Sequence, residues 1–231
     1  MLSAIAIVPS APVLVPQLAG RAAAELADLG SAVIAAADLL PSRWVAVGVG
    51  SVEAVVDSNA VGTFAGFGAD VRVRLAPSGA DRCEVPADVP LCALVAAWVR
   101  GQAAPEATAR VRVYADDLDP AVALARGKHL RAEIDRLPDP IGVLVVADGV
   151  NTLTPGAPGG YDPTGADAQL RLADALAAGD APALARLPAR ILGRVAFQVL
   201  AGLVEAGPRS AKELYRGAPY GVGYFVGVWQ P

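Results

Sequence analysis

The apolar residues of this chain fall into two kinds of run, and their alternation predicts the architecture. Short unbroken runs of small and β-branched residues stand at Leu2 to Val8, Trp44 to Val49 and Ile141 to Ala147. A run that short, apolar on both faces and bounded by turn residues, predicts a strand buried in the middle of a sheet. Arg21 to Leu40 instead shows a helical period, with Ala24, Leu26, Leu29, Val33, Ile34 and Leu40 on one stripe. Further helices are predicted over Leu91 to Val99, Pro120 to Leu137, Ala166 to Ala178, Ala181 to Leu187 and Ile191 to Ala206. Asp119 and Pro120 supply an N-cap and a first-turn proline for the second of these. Further strands are predicted at Val71 to Leu75, Arg110 to Tyr114 and Gly221 to Trp229, and the last should join antiparallel. In Val71 to Leu75, alternation sets Arg72 and Arg74 opposite Val71, Val73 and Leu75. Gly50 and Ser51 are expected to lead into a short helix, Thr63 to Gly68 to form a loop, and Pro77 to Pro90 a polar excursion.

Strands alternating with helices from end to end imply an α/β fold: a single domain over residues 1–231 with a central, mostly parallel sheet flanked by helices. No internal repeat or linker divides it. In such sheets ligands bind beyond the carboxyl ends of the strands. The polar residues at those ends are therefore the candidates: Ser10 after the first strand, Ser51 after the second, and Asp148, Asn151, Thr152 and Tyr161 after the central one. Asp and Asn there also suit plain turn chemistry, and both readings stay open. Asp162, before Pro163, reads as a turn residue.

Composition narrows the chemistry. The 54% hydrophobic content is spread over short runs, none near the ~18 to 20 residues of a membrane span. The apolar start lacks a basic flank and is interrupted by Pro9, Pro12 and Pro16, so a cytoplasmic protein is expected. Net charge is −4, only Lys128 and Lys212 are lysines, and the arginines are scattered, so no nucleic-acid or membrane partner is expected. Cys83 and Cys92 have neither zinc-site nor disulfide-framework spacing and read as reduced thiols. His129 is the sole histidine. A two-histidine metal site within one chain is thereby excluded.

The motifs are informative by what they lack. Gly48 to Ser51 (GVGS) follows a strand, and Asp70 stands about where a ribose-binding acid would, yet Glu53 replaces the third glycine of a dinucleotide fingerprint. Gly156 to Gly160 lacks the ending of a phosphate loop. A Ser10, His129 and Asp148 hydrolase triad is conceivable, but no Gly-x-Ser-x-Gly elbow supports it, and His129 reads as a helix-surface residue.

Three stretches taken together are VPSAPVLVP (Val8 to Pro16), ADGVNTLTPGAPGGYDPTG (Ala147 to Gly165) and YRGAPYGVGYFV (Tyr215 to Val226). In order and spacing they resemble the class III extradiol ring-cleavage dioxygenases, in particular the β-subunit-like proteins of that class and their Memo-like relatives. The family's versions read Pro-His-x-Pro-x-Leu-x-Pro, Gly-Asp-x-Ser-His-x-Leu-Thr-Pro with Gly-Tyr-x-Pro-x-Gly, and Pro-(Phe/Tyr)-Gly-Val-Gly-Tyr. The resemblance covers most of the chain and implies the fold of the extradiol dioxygenase β-subunit. Active relatives hold Fe(II) on two histidines and a carboxylate, with a further histidine as acid/base. Here Ser10 and Asn151 stand at the first and third histidine positions, and the second turn, Gly48 to Ser51, has none. Glu205 and Glu213 are candidates for the family's glutamate by region only. Ser hydroxyl and Asn carbonyl are weak, hard donors that do not replace imidazole for Fe(II). With Asp148 they suit at most loosely held Mg²⁺ or Ca²⁺. The resemblance thus implies a homologue without metal or other cofactor, binding a small molecule or a protein partner at the former pocket. The alternatives are an active dioxygenase with unusual or partner-supplied ligands and a Ser10-dependent hydrolase. A homodimer is implied by resemblance alone.

Overall fold

The structure is a computed structural model and describes residues 1–77 and 89–231. Strand β1 (Leu2–Val8) leads through a Pro-rich turn and the single-turn helix α1 (Pro16–Ala19) to helix α2 (Ala27–Ala37). Then come β2 (Arg43–Gly50), β3 (Ala54–Val56), β4 (Val61–Thr63), β5 (Arg72–Arg74), helix α3 (Leu91–Ala103), β6 (Thr108–Ala115) and helix α4 (Pro120–Asp135). The last third holds β7 (Ile141–Val146), α5 (Gly165–Ala178), α6 (Ala181–Leu184), α7 (Arg194–Leu203), β8 (Ser210–Gly217) and β9 (Tyr224–Gln230).

Seven strands form one sheet in the order β3-β6-β2-β7-β1-β9-β8. The four inner strands β6, β2, β7 and β1 are parallel neighbours, while β3, β9 and β8 are added antiparallel at the edges. β7 lies between β2 and β1, and all six of its residues are buried. Its unbroken apolar sequence is what such a position requires, since helices cover both faces. Leu144 and Val146 pack under α2 and α3 with Leu29, Val33, Cys92 and Val95. Ile141, Val143 and Val145 face the opposite layer, with Leu130 of α4, Leu172 of α5 and Phe197 of α7. The period of two along one strand thus feeds two separate cores.

The helix layer on that second face contains a close crossing. A Cβ on Gly127 of α4 would run into the Val199 carbonyl of α7, and one on Gly202 into the Leu124 carbonyl. The two backbones touch because neither residue has a side chain. On the other face Arg100 is buried and donates to the carbonyls of Arg74, Pro105 and Ala107, tying the end of α3 to the β4–β5 hairpin.

The expected α/β domain with a parallel centre is present, and so is the antiparallel final strand. Asp119 caps α4, its carboxylate accepting from Ala121 N at 2.8 Å. Four expectations need correction. The chain after Gly50 and Ser51 does not form a helix: it turns and pairs β3 with β6. Val71 to Leu75 contributes only a small two-stranded hairpin with β4, apart from the main sheet. The helical period of Arg21 to Leu40 begins as a 3-10 turn at Gly20–Ala24 and becomes α2 only at Ala27. α6 and α7 are shorter than their apolar runs. Three strands were not anticipated: β3, β4 and β8. Cys83 and most of the Pro77 to Pro90 excursion lie outside the described residues.

Candidate functional site

Parallel packing aligns the carboxyl ends of β1 and β7, and the Ala147 amide still pairs with the Val8 carbonyl. Just beyond, Asp148 Oδ1 accepts a hydrogen bond from the Ser10 amide at 2.8 Å. The site therefore begins as a consequence of sheet topology: two loops that are distant in sequence leave adjacent strands side by side. It is the backbone of Ser10, not its hydroxyl, that holds the carboxylate.

The loop beyond is fixed by a knot of close backbone contacts. Gly149 N donates to Gly223 O at 2.9 Å, and Gly223 N returns a bond to Val150 O at 2.8 Å. Leu192 N and Gly193 N donate to the carbonyls of Gly149 and Asp148. Gln169, from α5, accepts from Val150 N at 2.9 Å, and its carboxamide occupies the space a Cβ on either Gly149 or Gly223 would need. The glycines are required here by close approach.

Asp148 sits among protein atoms with part of its surface open. Burial pushes its carboxyl up to about 7, against the pull of the Ser10 N–H, and no cationic side chain among the described residues acts on it. Its Oδ2 accepts nothing among the described residues. Beside it stands Tyr224, the first residue of β9, only 4% exposed. Burial, then the charge of Asp148, then Tyr215 raise the Tyr224 phenol above its usual range. The Tyr224 hydroxyl also has no hydrogen-bond partner among the described residues. Among the described residues no buried side-chain polar atom is left unpaired.

The remaining candidates divide. The Asn151 and Thr152 carbonyls accept from Gly159 N and Asp162 N, and their side chains lie against Gly159 and Gly165, so both pack within their own loop. Tyr161 is 60% exposed, and Ser51 is exposed on the turn between β2 and β3. Asp162 is a turn residue, accepting from Thr164 N at 2.9 Å and pairing with Arg190. The sequence alone did not single out Tyr224, although it lies in one of the three family-like stretches. Its only signal was a polar atom inside an apolar terminal strand.

His129 belongs elsewhere. It stands on the exposed side of α4, with Nε2 3.0 Å from Glu133, in a cleft of about 340 Å³ with Glu53, Arg112, Tyr114 and Arg126. Ser10 and Asp148 do not line that cleft, so the triad is not assembled. Glu205 pairs with Lys128, and Glu213 with Arg216. Among the described residues no three His, Cys, Asp or Glu side chains gather as a metal-binding group. One carboxylate, a backbone amide and a phenol do not fit an Fe(II) centre of the two-histidine kind. The dinucleotide pattern also dissolves. A strand follows its turn, Gly48 is needed for the close approach of Cys92, Glu53 pairs with Arg126, and Asp70 accepts from Thr63. Burial pushes the Cys92 thiol up to about 12, leaving it a packing residue.

A larger groove of about 690 Å³ runs between α1, α2 and α3 past Trp98, and Asp148 does not line it. No helix among the described residues is long and apolar enough to cross a membrane.

The sequence matches no family model and no curated protein. A solved structure does match along the whole length: the crystal structure of an uncharacterized protein, JW3007, from Escherichia coli K12. It superposes with a TM-score of 0.60 over 99% of this chain and 100% of that one, at 12% identity. At that identity the similarity shows a shared fold, a single α/β domain with its parallel centre, and nothing of its chemistry.

Proposed function

We propose that this chain is a metal-ligand-deficient homologue of the class III extradiol ring-cleavage dioxygenases, one that binds a small molecule or a protein partner at the carboxyl ends of β1 and β7 without iron chemistry. One observation carries the reading. Where the family resemblance calls for an iron centre, a partly exposed carboxylate oxygen and a phenol have no hydrogen-bond partner among the described residues, and the one imidazole stands on α4 beside Glu133. Open hydrogen-bonding valences at the end of a parallel sheet suit recognition. A lone carboxylate does not suit activation of O₂.

Anaerobic Fe(II) titration of the metal-stripped protein by calorimetry tests this. The expected result is no binding tighter than about millimolar, roughly −4 kcal/mol. A stoichiometric micromolar site, with O₂ uptake on adding a catechol, would overturn the proposal in favour of a working dioxygenase. Burst release from an activated ester that is lost in Ser10→Ala would overturn it in favour of a hydrolase.

A further inference from the structure

We infer that the cleft between α5 and the segment joining α6 to α7 binds a small phosphate monoester. Ser10, Asp148 and Asn151 do not line this cleft, and the inference does not depend on the function proposed above.

The chain makes the cleft by turning back on itself. α5 stops at Gly179, whose φ of 69° admits the reversal, and Asp180 then caps α6, accepting from Ala183 N at 2.9 Å. α6 packs against α5, and the cleft left between α5 and the chain that follows α6 holds about 560 Å³, within the range of small-molecule sites. Ala183, Leu187 and Pro188 give it an apolar side, and Leu187 is anchored in the core beneath.

The charge gathered there selects the ligand. Arg171 of α5, with Arg186 and Arg190 from the segment after α6, lines the cleft, and Asp167 is the carboxylate among its lining residues. Two of the guanidiniums are braced. Arg190 donates through Nη1 to Asp162, 3.2 Å away, and to the Thr164 hydroxyl, and Arg171 Nη2 lies 3.5 Å from Asp167. Each contact engages one terminal nitrogen of a group that has five N–H donors, so the carboxylates aim the guanidiniums without filling them. Arg171 and Asp167 are both 81% exposed, and so loose a pair yields to a stronger anion. Asp162 and Asp167 answer two of the positive charges, and Arg186 adds a third. The cleft beside α4 is balanced by comparison: there Arg112 meets Glu133 at 2.7 Å and Arg126 meets Glu53 at 3.2 Å. A phosphate monoester brings a charge of about −1.5 to −2 and three acceptor oxygens, which suits three guanidiniums converging from two elements. Its organic part would lie against Ala183, Leu187 and Pro188. A carboxylate offers less charge and fewer acceptors, and a cation is repelled.

The test titrates phenyl phosphate, benzoate and benzyl alcohol into ¹⁵N-labelled protein at low salt and about pH 7.5, where the monoester is doubly ionised. The expected result is saturable movement of the Gly165, Ala168 and Leu187 amide signals with phenyl phosphate, at least about tenfold tighter than with benzoate and absent with benzyl alcohol. Arg186→Gln and Arg190→Gln should each weaken phenyl phosphate about tenfold. The same spectra report whether each variant is folded, and Arg186→Gln leaves the Arg190 contacts with Asp162 and Thr164 in place. Benzoate or benzyl alcohol binding as tightly as phenyl phosphate would overturn the phosphate assignment. Phenyl phosphate that leaves these amides unmoved, moves those of Ser10 and Gly149 in their place, or binds both variants as tightly as the parent would overturn the site.

Discussion

Asp148 and Asp162 lie on one loop, and their surroundings are opposite. Asp162 accepts from the Thr164 amide and hydroxyl, pairs with Arg190, and is held below the usual carboxylate range by the Thr164 bonds first. Among the described residues Asp148 has a single amide bond and no cation, and it is pushed up to about 7 by burial. The first is satisfied by its own loop and has nothing to offer a ligand. The second is left by the described residues with one hydrogen bond and no counter-charge. The same residue type in the same Gly- and Pro-rich segment is thus a turn device in one place and an open valence in the other. What separates them is the distance from the sheet: Asp148 leaves the strand end where β1 and β9 crowd it, and Asp162 has already reached the surface.

Loss of the loop's anchor should erase this contrast most completely. Gly149→Ala would drive a methyl group into the Gln169 carboxamide and toward Gly223 O, displacing the partner of Val150 N. A loss of about 2 to 4 kcal/mol is expected from overpacking plus a lost hydrogen bond, read as a lower urea midpoint at unchanged m-value. Asp148→Asn isolates the shielded carboxyl next. A carboxyl whose folded pKa lies above its unfolded 3.8 binds protons more tightly when folded, so its contribution is greatest below 3.8 and falls as pH rises toward about 7. Asn removes that dependence. The variant should therefore be more stable than the parent at about pH 8, by about 2 to 4 kcal/mol at ~1.4 kcal/mol per unit, and the gap should close near about pH 4. Thermal melts across that range decide it. A parent gaining stability with pH over the same window would show that Asp148 is not held in a shielded, unpaired state.

Asp162→Ala should do the reverse, more weakly. Its folded pKa is lowered, so the interactions it makes are present at neutral pH and are lost as pH falls through that lowered value. The variant should melt slightly below the parent at neutral pH and together with it in acid. Smallest of all is His129→Ala. That side chain is 69% exposed and, among the described residues, pairs with Glu133 alone, so a change within about 0.5 kcal/mol is expected in thermal melts.

What the sequence showed of this site followed from its strands. Ile141 to Ala147 read as a central strand, and the carboxyl-end rule then pointed to Asp148 and Ser10. Their contact through the Ser10 amide, not its hydroxyl, was invisible, because it depends on the β1–β7 register. Tyr224 was hidden for a similar reason: its hydroxyl matters only once β9 is placed beside β1. β8 was missed because it is an edge strand, and Lys212, Glu213 and Arg216 in Ser210–Gly217 mask the alternation that a covered strand would show. β3 has only three residues and follows Ser51, Val52 and Glu53, which gave no period to read. Asp119, by contrast, was legible at once, since an N-cap is a purely local device.

The glycine crossing of α4 and α7 has a consequence for the order in which the molecule opens. Where Gly127 meets the Val199 carbonyl and Gly202 meets the Leu124 carbonyl, solvent has no room to enter between the two backbones. Amide protons along that seam can exchange only when the helices part, and parting them exposes the whole core that Leu130 and Phe197 share with β7. In a hydrogen–deuterium experiment this pair should belong to the last unit to open. The loops at the carboxyl edge, held by single hydrogen bonds such as Ser10 to Asp148, should exchange well before it.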